Sequence, residues 1–337
     1  MDIFHPTVVA KIVNRLEPAK PFLLNSFFPN VQTEAVEEIR FDVEHHRPRI
    51  APFVSPVVAG QVVQSKGYTT KSFKPAYIKD KRIFNAERAL KRSIGEAIGG
   101  EMSPAQRMAA VFANELNDQI NMLTRRQELM AAEVLRTGKT IIEGDLYPRV
   151  EVDFGRDPDL TLRLVDTACW GEGVADPLED LAAWSRLVTK KSGATANNVV
   201  MDLKAWQLFS ATPSVQELLD RQRGTATANP AVTGEGGRLV ATIGDLNIWL
   251  YHSWFNDPDT NEQVPYLPDY TVILTGPELE GTRCYGAVKD SKAGFQAVPF
   301  FAKTWNDEDP AVRYMLMQSA PLVVPYRVNA SMCVTVR

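Results

Sequence analysis

The sequence predicts an α+β protein in which one long helix lies over a sheet and a basic, strand-rich arm precedes that helix. Three observations support this fold class: a capped amphipathic helix at Pro104–Arg136, strand patterns in residues 47–92, and alternating helix and strand patterns between 175 and 290. With 337 residues, 45% of them hydrophobic and 23% charged, the chain is long enough to bury a sizeable core.

The long helix has clear signals at both ends. Ser103 is placed as the N-cap, Pro104 as the first helical residue and Gln106 as the reciprocal member of a capping box. Gly138 stands where a C-terminal cap is expected. Apolar residues recur close to a 3.6-residue period at Met108, Val111, Phe112, Leu116, Ile120, Leu123, Met130 and Val134. Polar residues interrupt the heptad, so a single helix packed on a sheet is favoured over a coiled coil.

The segment 47–92 is strongly basic. It contains eleven Lys and Arg residues and two acids, a net charge of +9, whereas the whole chain carries −4 and the remainder therefore −13. Two Val-, Thr- and aromatic-rich limbs, Pro52–Gln64 and Tyr68–Ile83, flank a turn at Ser65–Gly67. An isolated two-stranded ribbon is marginal in water, so it needs another surface. We expect that surface to belong to a second copy of the chain; folding back onto its own domain is the alternative.

An acidic stretch could receive the basic arm. Residues 143–180 hold eleven acids and three arginines, a local charge of −8. A solvated acidic face is the alternative interpretation of this stretch. It begins within a predicted hairpin, Thr140–Phe154, in which Val150 and Val152 point inward and Glu151 and Asp153 point outward.

The remaining segments complete the expected architecture. Near the amino end the sequence predicts an amphipathic piece, an apolar cluster and a half-buried strand, carried by Val8, Val9, Ile12, Val13 and Leu16, by Pro21–Pro29, and by Ile39, Phe41 and Val43. A second unit is predicted with helices at Pro177–Ser192 and Lys204–Arg223, the latter broken at Pro213, strands at Asn198–Met201, Leu239–Ile243, Ile248–Ser253 and Tyr270–Leu274, and loops at Gly224–Gly237 and Asn256–Pro268. Apolar strands in Arg313–Val336 are expected to rejoin the first unit.

The sequence gives no indication of catalytic, cofactor or metal chemistry. Cys169, Cys284 and Cys333 are few and far apart, which is typical of reduced, buried residues in a cytosolic protein. His45 and His46 are neighbours and would face opposite sides of a strand, and His252 lies alone in an apolar segment. No nucleotide-binding, zinc-hydrolase or nucleophile motif occurs, no apolar run reaches 18 residues, and the amino end lacks a secretory signal pattern. We therefore expect no cofactor, no metal, no membrane span and no enzyme.

Several motifs in a consistent order carry a family resemblance. PFVSPVVAGQVVQSKG at 52–67, YLPD at 266–269 and QSAPL at 318–322 resemble the major capsid proteins of lambda-type tailed bacteriophages. The resemblance implies a Hong Kong-type capsid fold with an N-terminal arm, an extended β-hairpin loop, a long spine helix, and peripheral and axial domains. It divides the chain into N-terminal arm and first strand at 1–46, extended loop at 47–92, peripheral domain at 93–174, axial domain at 175–291, and return to the peripheral domain at 292–337.

The resemblance also implies a function. Copies of the chain would form hexamers and pentamers of an icosahedral shell that encloses double-stranded DNA without reading its sequence, assembled with a scaffold protein in the bacterial cytoplasm and covered by a trimeric decoration protein. The extended loop would contact a neighbouring subunit through Phe53, Val57, Lys66, Gly67, Tyr68, Lys71, Phe73, Lys74, Tyr77 and Arg82. The axial loop would contact its copies through Asn256, Asp257, Asp259 and Asn261.

Other functions remain open on the sequence alone. An encapsulin-like compartment shell would use the same fold, and a phage tail or neck component would be another structural role. An intracellular binding module with a regulatory arm is a third interpretation. Some proteins of this fold join a loop lysine covalently to a neighbour's asparagine; Lys66, Lys71 and Lys74 are the candidates by position, and we expect no such bond.

Overall fold

The structure, a computed structural model, describes residues 21–36, 38–44, 51, 53, 68–75, 77–85, 102–144, 147–172, 175–223, 236–258, 260–308 and 311–337. Within these ranges the α-helices are α1 (Phe22–Phe27), α2 (Pro104–Thr137), α3 (Pro177–Ser192), α4 (Leu203–Ala211) and α5 (Pro213–Arg223). No helix in the described ranges combines the length and the apolar character that crossing a bilayer requires.

Strands from all parts of the chain form the sheets. They are β1 (Asn30–Thr33), β2 (Ile39–Glu44), β3 (Tyr68–Phe73), β4 (Ile78–Asn85), β5 (Lys139–Gly144), β6 (Tyr147–Asp153), β7 (Thr161–Arg163), β8 (Asn198–Met201), β9 (Gly237–Ile243), β10 (Leu246–Tyr251), β11 (Trp254–Asn256), β12 (Gln263–Pro265), β13 (Thr271–Thr275), β14 (Gly281–Tyr285), β15 (Phe301–Glu308), β16 (Ala311–Ser319), β17 (Pro321–Pro325) and β18 (Met332–Thr335). A six-stranded sheet has the order β7-β18-β13-β8-β10-β9, two three-stranded sheets have the orders β1-β14-β17 and β15-β16-β4, and β2-β3, β5-β6 and β11-β12 are strand pairs.

The predicted signals at the ends of α2 are confirmed. The Ser103 hydroxyl accepts a hydrogen bond from the Gln106 N–H, and the Gln106 side chain accepts one from the Ser103 N–H at 2.8 Å. Gly138 closes the helix in the left-handed conformation, with φ of 69°. The helix ends at Thr137, one residue beyond the predicted end.

Helix α2 connects two cores. Its amino-terminal half packs Phe112, Leu116 and Ile120 against Phe84 of β4 and Met315 of β16. Its carboxy-terminal half enters the main core, where Met130, Val134 and Leu135 pack with α1, β17 and their neighbours. The helix therefore connects the sheet β15-β16-β4 to the main core.

The second unit has the predicted helices and strands, and the six-stranded sheet organises them. Strands β8 and β13 are largely buried there, and Trp170, Trp184 and Phe209 pack against one of its faces. Strand β7 and the C-terminal strand β18 belong to this sheet too, whereas β14 pairs instead with β1 and β17. The sheets thus combine segments that the sequence assigns to different domains. Of the C-terminal strands, β16 pairs with β4 of the first unit, whereas β17 pairs with β14 and β18 pairs with β13 of the second unit.

The described part of the arm corrects one prediction. The limb Tyr68–Ile83 was expected to have no partner within its own chain. Instead β3 pairs with β2, and β4 pairs with β16. Most of Pro52–Gln64 and the predicted turn lie outside the described residues. The pairing partner of a strand can lie far away in the sequence. The local pattern of the second limb therefore could not show that it pairs with strands of its own chain.

Two smaller predictions also change. Asn256–Pro268 was expected to be a loop, but it contains the turn and the second strand of the β11–β12 hairpin, and its residues Tyr266 and Leu267 are buried in the core. Of the three free cysteines, Cys284 and Cys333 are buried as expected and Cys169 is half-buried. Burial raises the pKa of Cys333 to about 11 and that of Cys284 to about 12, so both thiols stay protonated at neutral pH.

Candidate functional site

The base of the arm is the antiparallel pair β2–β3. Its register runs from Ile39 opposite Phe73 to Glu44 opposite Tyr68. Ile39 and Phe41 are buried, and the Phe41 ring lies 5.3 Å from that of Phe154. Phe73 packs against the same core. The pair therefore anchors the arm firmly, and the chain leaves the sheet after Glu44 and returns at Tyr68.

Only part of the predicted contact set can be placed. Val57, Lys66 and Gly67 lie outside the described residues. Phe53 is fully exposed. A large apolar ring that the described residues leave in water is a candidate anchor for a second surface.

Two arm lysines contact their own chain. The Lys71 ammonium group donates a hydrogen bond to the backbone carbonyl of Asp153, and Lys74 lies 4.0 Å from Glu38. Burial alone would raise the pKa of the Asp153 carboxyl group, but the Gly155 N–H, Lys139 and Lys71 lower it below its ordinary value. The predicted attraction between basic arm and acidic stretch thus operates within the chain at this point.

Tyr77 and Arg82 also have intramolecular partners. The Tyr77 hydroxyl donates to the carbonyl of Ala287. Arg82 forms ion pairs with Asp80 at 3.0 Å, with Asp118 at 2.8 Å and with Glu115. Burial would lower the pKa of Arg82, but these carboxylates raise it overall, so the guanidinium stays charged. The contacts tie β4 to α2 and leave Arg82 little freedom to serve a neighbour.

The opposite face of β4 points to solvent. Along β4, Lys79, Lys81 and Ile83 are exposed and alternate with the residues that face α2. The Lys81 ammonium lies 4.0 Å from the centre of the Tyr314 ring and 5.6 Å from that of Trp305, and these rings stack at 5.3 Å. The sheet β15-β16-β4 therefore presents a surface of lysines and aromatic rings.

The acidic stretch is partly neutralised by its own chain. Lys139 lies 2.7 Å from Glu151, and Lys191 lies 2.8 Å from Asp157 and 2.6 Å from Asp159. As predicted, Val152 is buried, and Glu151 and Asp153 are exposed, whereas Val150, also expected to point inward, is half-buried. These pairs leave less negative charge for a neighbour than the sequence count suggests.

A buried carboxylate fixes the amino-terminal segment to α2. Glu128 is 2% exposed and accepts hydrogen bonds from the N–H groups of Leu23 at 2.9 Å and Leu24 at 2.8 Å. Burial raises the pKa of Glu128 more than these hydrogen bonds lower it. The interaction caps the first turn of α1, where free N–H groups attract a carboxylate.

A buried guanidinium group binds the carboxy-terminal end of α2. Arg156 donates to the carbonyls of Leu135, at 2.7 Å, and Arg136. It also donates to the Thr161 hydroxyl at 2.8 Å. Burial lowers the pKa of Arg156 to about 10, so it remains a cation near neutral pH and complements the negative end of the helix dipole.

Three of the four predicted axial-loop residues, Asn256, Asp257 and Asn261, lie in one tight turn. Asn256 closes β11, the Asp257 N–H donates to the Glu262 carbonyl at 2.9 Å, and the Asn261 N–H donates to the Asp257 carbonyl at 2.8 Å. Asn261 adopts a positive φ of 56°. Asp259 lies outside the described residues. Asn256 and Asn261 are exposed and Asp257 is half-buried, so the hairpin tip offers polar groups to a partner.

His252, which lies alone in an apolar segment of the sequence, is exposed just after β10 and accepts a hydrogen bond from the Trp254 indole N–H at 3.2 Å. Within the described ranges, no three His, Cys, Asp or Glu side chains are grouped so that they could hold a metal ion.

A comparison with protein-family models gives one match that spans almost the whole chain. Residues 6–336 match the model of the phage major capsid protein E family. The chain belongs to this family. Its role is structural, as a subunit that self-assembles into the capsid shell of a virion.

Named relatives agree with this assignment. The capsid subunit is 27% identical over 314 residues to the major capsid protein of Escherichia phage lambda, with 90% of each chain covered. It is 29% identical over 315 residues to that of Enterobacteria phage P21, covering 90% of this chain and 91% of the relative. The resemblance to lambda-type capsid proteins is thereby confirmed, and the phage shell is favoured over the compartment, tail and binding-module interpretations.

Solved structures confirm the fold. A prophage protein of Escherichia coli CFT073 matches with a TM-score of 0.72 and 24% identity, covering 98% of the capsid subunit and 99% of that chain. A phage-related protein of Bordetella bronchiseptica matches with a TM-score of 0.58 and 10% identity, covering 97% and 95%. The subunit thus has the α+β capsid fold predicted from the resemblance.

Glu128 and Arg156 were not among the predicted residues. A signal for Glu128 was present, because it lies with Gln127 on the otherwise apolar stripe between Leu123 and Met130. Arg156 had no such signal, since it follows a strand in a polar stretch. Its role depends on how the chain returns to the end of α2.

Proposed function

We propose that the subunit forms hexamers and pentamers of an icosahedral shell around double-stranded DNA, with the loop between β2 and β3 of one subunit lying on its neighbour. The subunit acts through assembly and not through catalysis. In this proposal residues 93–174 and 292–337 form the peripheral part, residues 175–291 form the axial part, and the tip of the β11–β12 hairpin meets its copies around the symmetry axes.

The exposure of Phe53 is the observation that carries the loop contact. The loop starts and ends at a strand pair whose inner residues are buried in the main core, so its base is fixed. Phe53 lies between these strands in sequence and is fully exposed. A firm base with an exposed apolar ring beyond it favours a contact outside the chain.

DNA, a scaffold protein and a decoration protein are the remaining proposed partners. The net charge of −4 is compatible with enclosing DNA through weak contacts that do not depend on sequence. The family resemblance supports a scaffold protein during assembly in the bacterial cytoplasm and a trimeric decoration protein on the outer face.

Electron microscopy of particles formed by the purified protein tests the shell geometry. We expect closed icosahedral particles whose reconstruction shows pentamers at the vertices and hexamers between them, with residues 45–67 over the adjacent subunit. Tubes, rings or single subunits under conditions that assemble related capsids would contradict the proposal. A reconstruction with the loop folded on its own subunit would contradict the loop placement alone.

A substitution in the loop tests the contact directly. Phe53→Asp should leave the free energy of unfolding of the unassembled subunit unchanged and abolish particle formation, because a charge replaces the apolar anchor. Val165→Asp is the matched control, since Val165 is 63% exposed and lies outside the loop. Normal particles from the Phe53→Asp subunit, measured by sedimentation, would rule out this anchor.

A further inference from the structure

A groove runs beside the exposed side of helix α2. Its cavity of about 570 Å³ is bounded by Met122, Leu129 and Arg126 of α2, by Ile78 of β4, and by Trp254 of β11. This volume lies in the range that accommodates a small ligand or several side chains.

The groove leaves large apolar side chains in water. Met122 is 51% exposed and Trp254 is 48% exposed. Two such residues in the lining of one groove form an apolar surface that would gain free energy from being covered. The groove therefore has the character of a docking surface for an apolar chain segment.

The amino-terminal end of the described chain lies beside this groove. A smaller cavity of about 140 Å³ is lined by Pro21 together with Arg125 and Trp254, and these last two residues also line the larger groove. Pro21 is fixed there because the helix that it starts is capped by Glu128. The residues that precede Pro21 in the sequence are therefore covalently joined to the chain beside the groove.

These preceding residues contain a segment that matches the groove in chemistry and length. Its apolar residues occur at a helical spacing: Val8, Val9, Ile12, Val13 and Leu16. As a helix, Val8 to Leu16 would span about 12 Å. The connection 17–20 can extend over about 13 Å, which is enough to place the segment beside α2.

We infer that residues 8–16 bind in this groove of the same chain, with their apolar side against Met122, Leu129 and Trp254. Tethering favours this occupant over a separate molecule, because a short connection raises the local concentration of the segment. The segment would then clamp α2 to the β11–β12 hairpin. This inference does not depend on the geometry of the shell, since it concerns the unassembled subunit.

The test compares two double substitutions in the full-length, unassembled subunit. Ile12→Asp with Leu16→Asp places charges on the apolar side of the segment. Thr7→Asp with Asn14→Asp places the same charge on the opposite side and is the matched control. The readout is acrylamide quenching of Trp254, obtained as the difference between each protein and its counterpart carrying Trp254→Phe.

We expect stronger quenching of Trp254 and faster amide hydrogen exchange in residues 122–129 for the apolar-side variant alone. Circular dichroism establishes that the variant is folded, and Ile12→Ala with Leu16→Ala provides a milder change if it is not. Equal quenching in all proteins would overturn the inference. A difference that appears only at high protein concentration or in particles would also overturn it, because the occupant would then come from another copy.

Discussion

The hydroxyl of Tyr251 donates a hydrogen bond of 2.9 Å to the carboxylate of Glu128 inside the main core. The same carboxylate accepts the N–H groups of Leu23 and Leu24. One ionisable side chain on the spine helix thus joins helix α1 near the amino end to strand β10 of the six-stranded sheet. Its removal should loosen segments that are far apart in sequence.

Glu128→Ala should lower the free energy of unfolding by about 3 kcal/mol or more, because it leaves three buried donors without an acceptor. Tyr251→Phe removes one donor and keeps the carboxylate paired with both N–H groups, so we expect a loss of about 1 kcal/mol. Urea unfolding of the unassembled subunits measures both values. Equal losses for the two variants would show that the N–H contacts contribute little.

The stability of the subunit should depend on pH through Glu128. Because burial raises its pKa above the ordinary value of 4.5, the folded state binds a proton more readily than the unfolded state. The contribution of this group to stability is therefore fully present below about pH 4.5 and is lost as the pH rises through the folded-state pKa. Glu128→Gln should remove this dependence. The measurement is the difference in unfolding free energy between the two proteins from pH 4.5 to 8, and a difference that moves in favour of wild type with rising pH would contradict it.

Gly138→Ala should destabilise the subunit by about 1–2 kcal/mol or more. Gly138 has a φ of +69°, and an added Cβ would lie 2.5 Å from the Cβ of Arg156, which is itself held by the last carbonyls of α2. Gly144→Ala is the control, because an added Cβ there meets nothing within 4 Å. Thermal unfolding compares them, and similar melting temperatures for both variants would show that the end of α2 tolerates a shift.

Arg82→Met should lower the free energy of unfolding of the unassembled subunit by about 1–3 kcal/mol, since it leaves Asp80, Glu115 and Asp118 without their shared cation. Lys79→Met lies on the exposed face of the same strand and should change it by less than about 0.5 kcal/mol. An Arg82→Met subunit of normal stability that fails to assemble would instead favour the original prediction that Arg82 contacts a neighbour.

Assembled particles should contain no covalent bond between subunits. Lys71 donates a hydrogen bond to the backbone carbonyl of Asp153, and Lys74 lies near Glu38, so both ammonium groups have partners within their own chain. Boiled particles should therefore give a single band near 37.5 kDa on a denaturing gel. Particles treated with a chemical crosslinker are the positive control, and a ladder of bands from untreated particles would contradict the prediction.

The helices could be predicted from local signals, whereas the pairing partners of the strands could not. Ser103, Gln106 and Gly138 act on neighbouring residues, so the ends of α2 could be predicted within one residue. The pairing of β4 with β16 depends on a strand more than 200 residues away. For the same reason the sequence suggested that Arg82 was available to a neighbour, whereas its partners are on α2.

The sheet β15-β16-β4 has a consequence for the timing of protein synthesis. Strand β4 precedes α2 in the sequence. Its partner β16, and the inner strand β18 of the six-stranded sheet, lie in the last part of the chain. A nascent chain still being translated cannot complete either sheet. The ribosome must therefore release the carboxyl end before these two sheets are complete, so the subunit becomes competent to join a growing particle only after translation has ended.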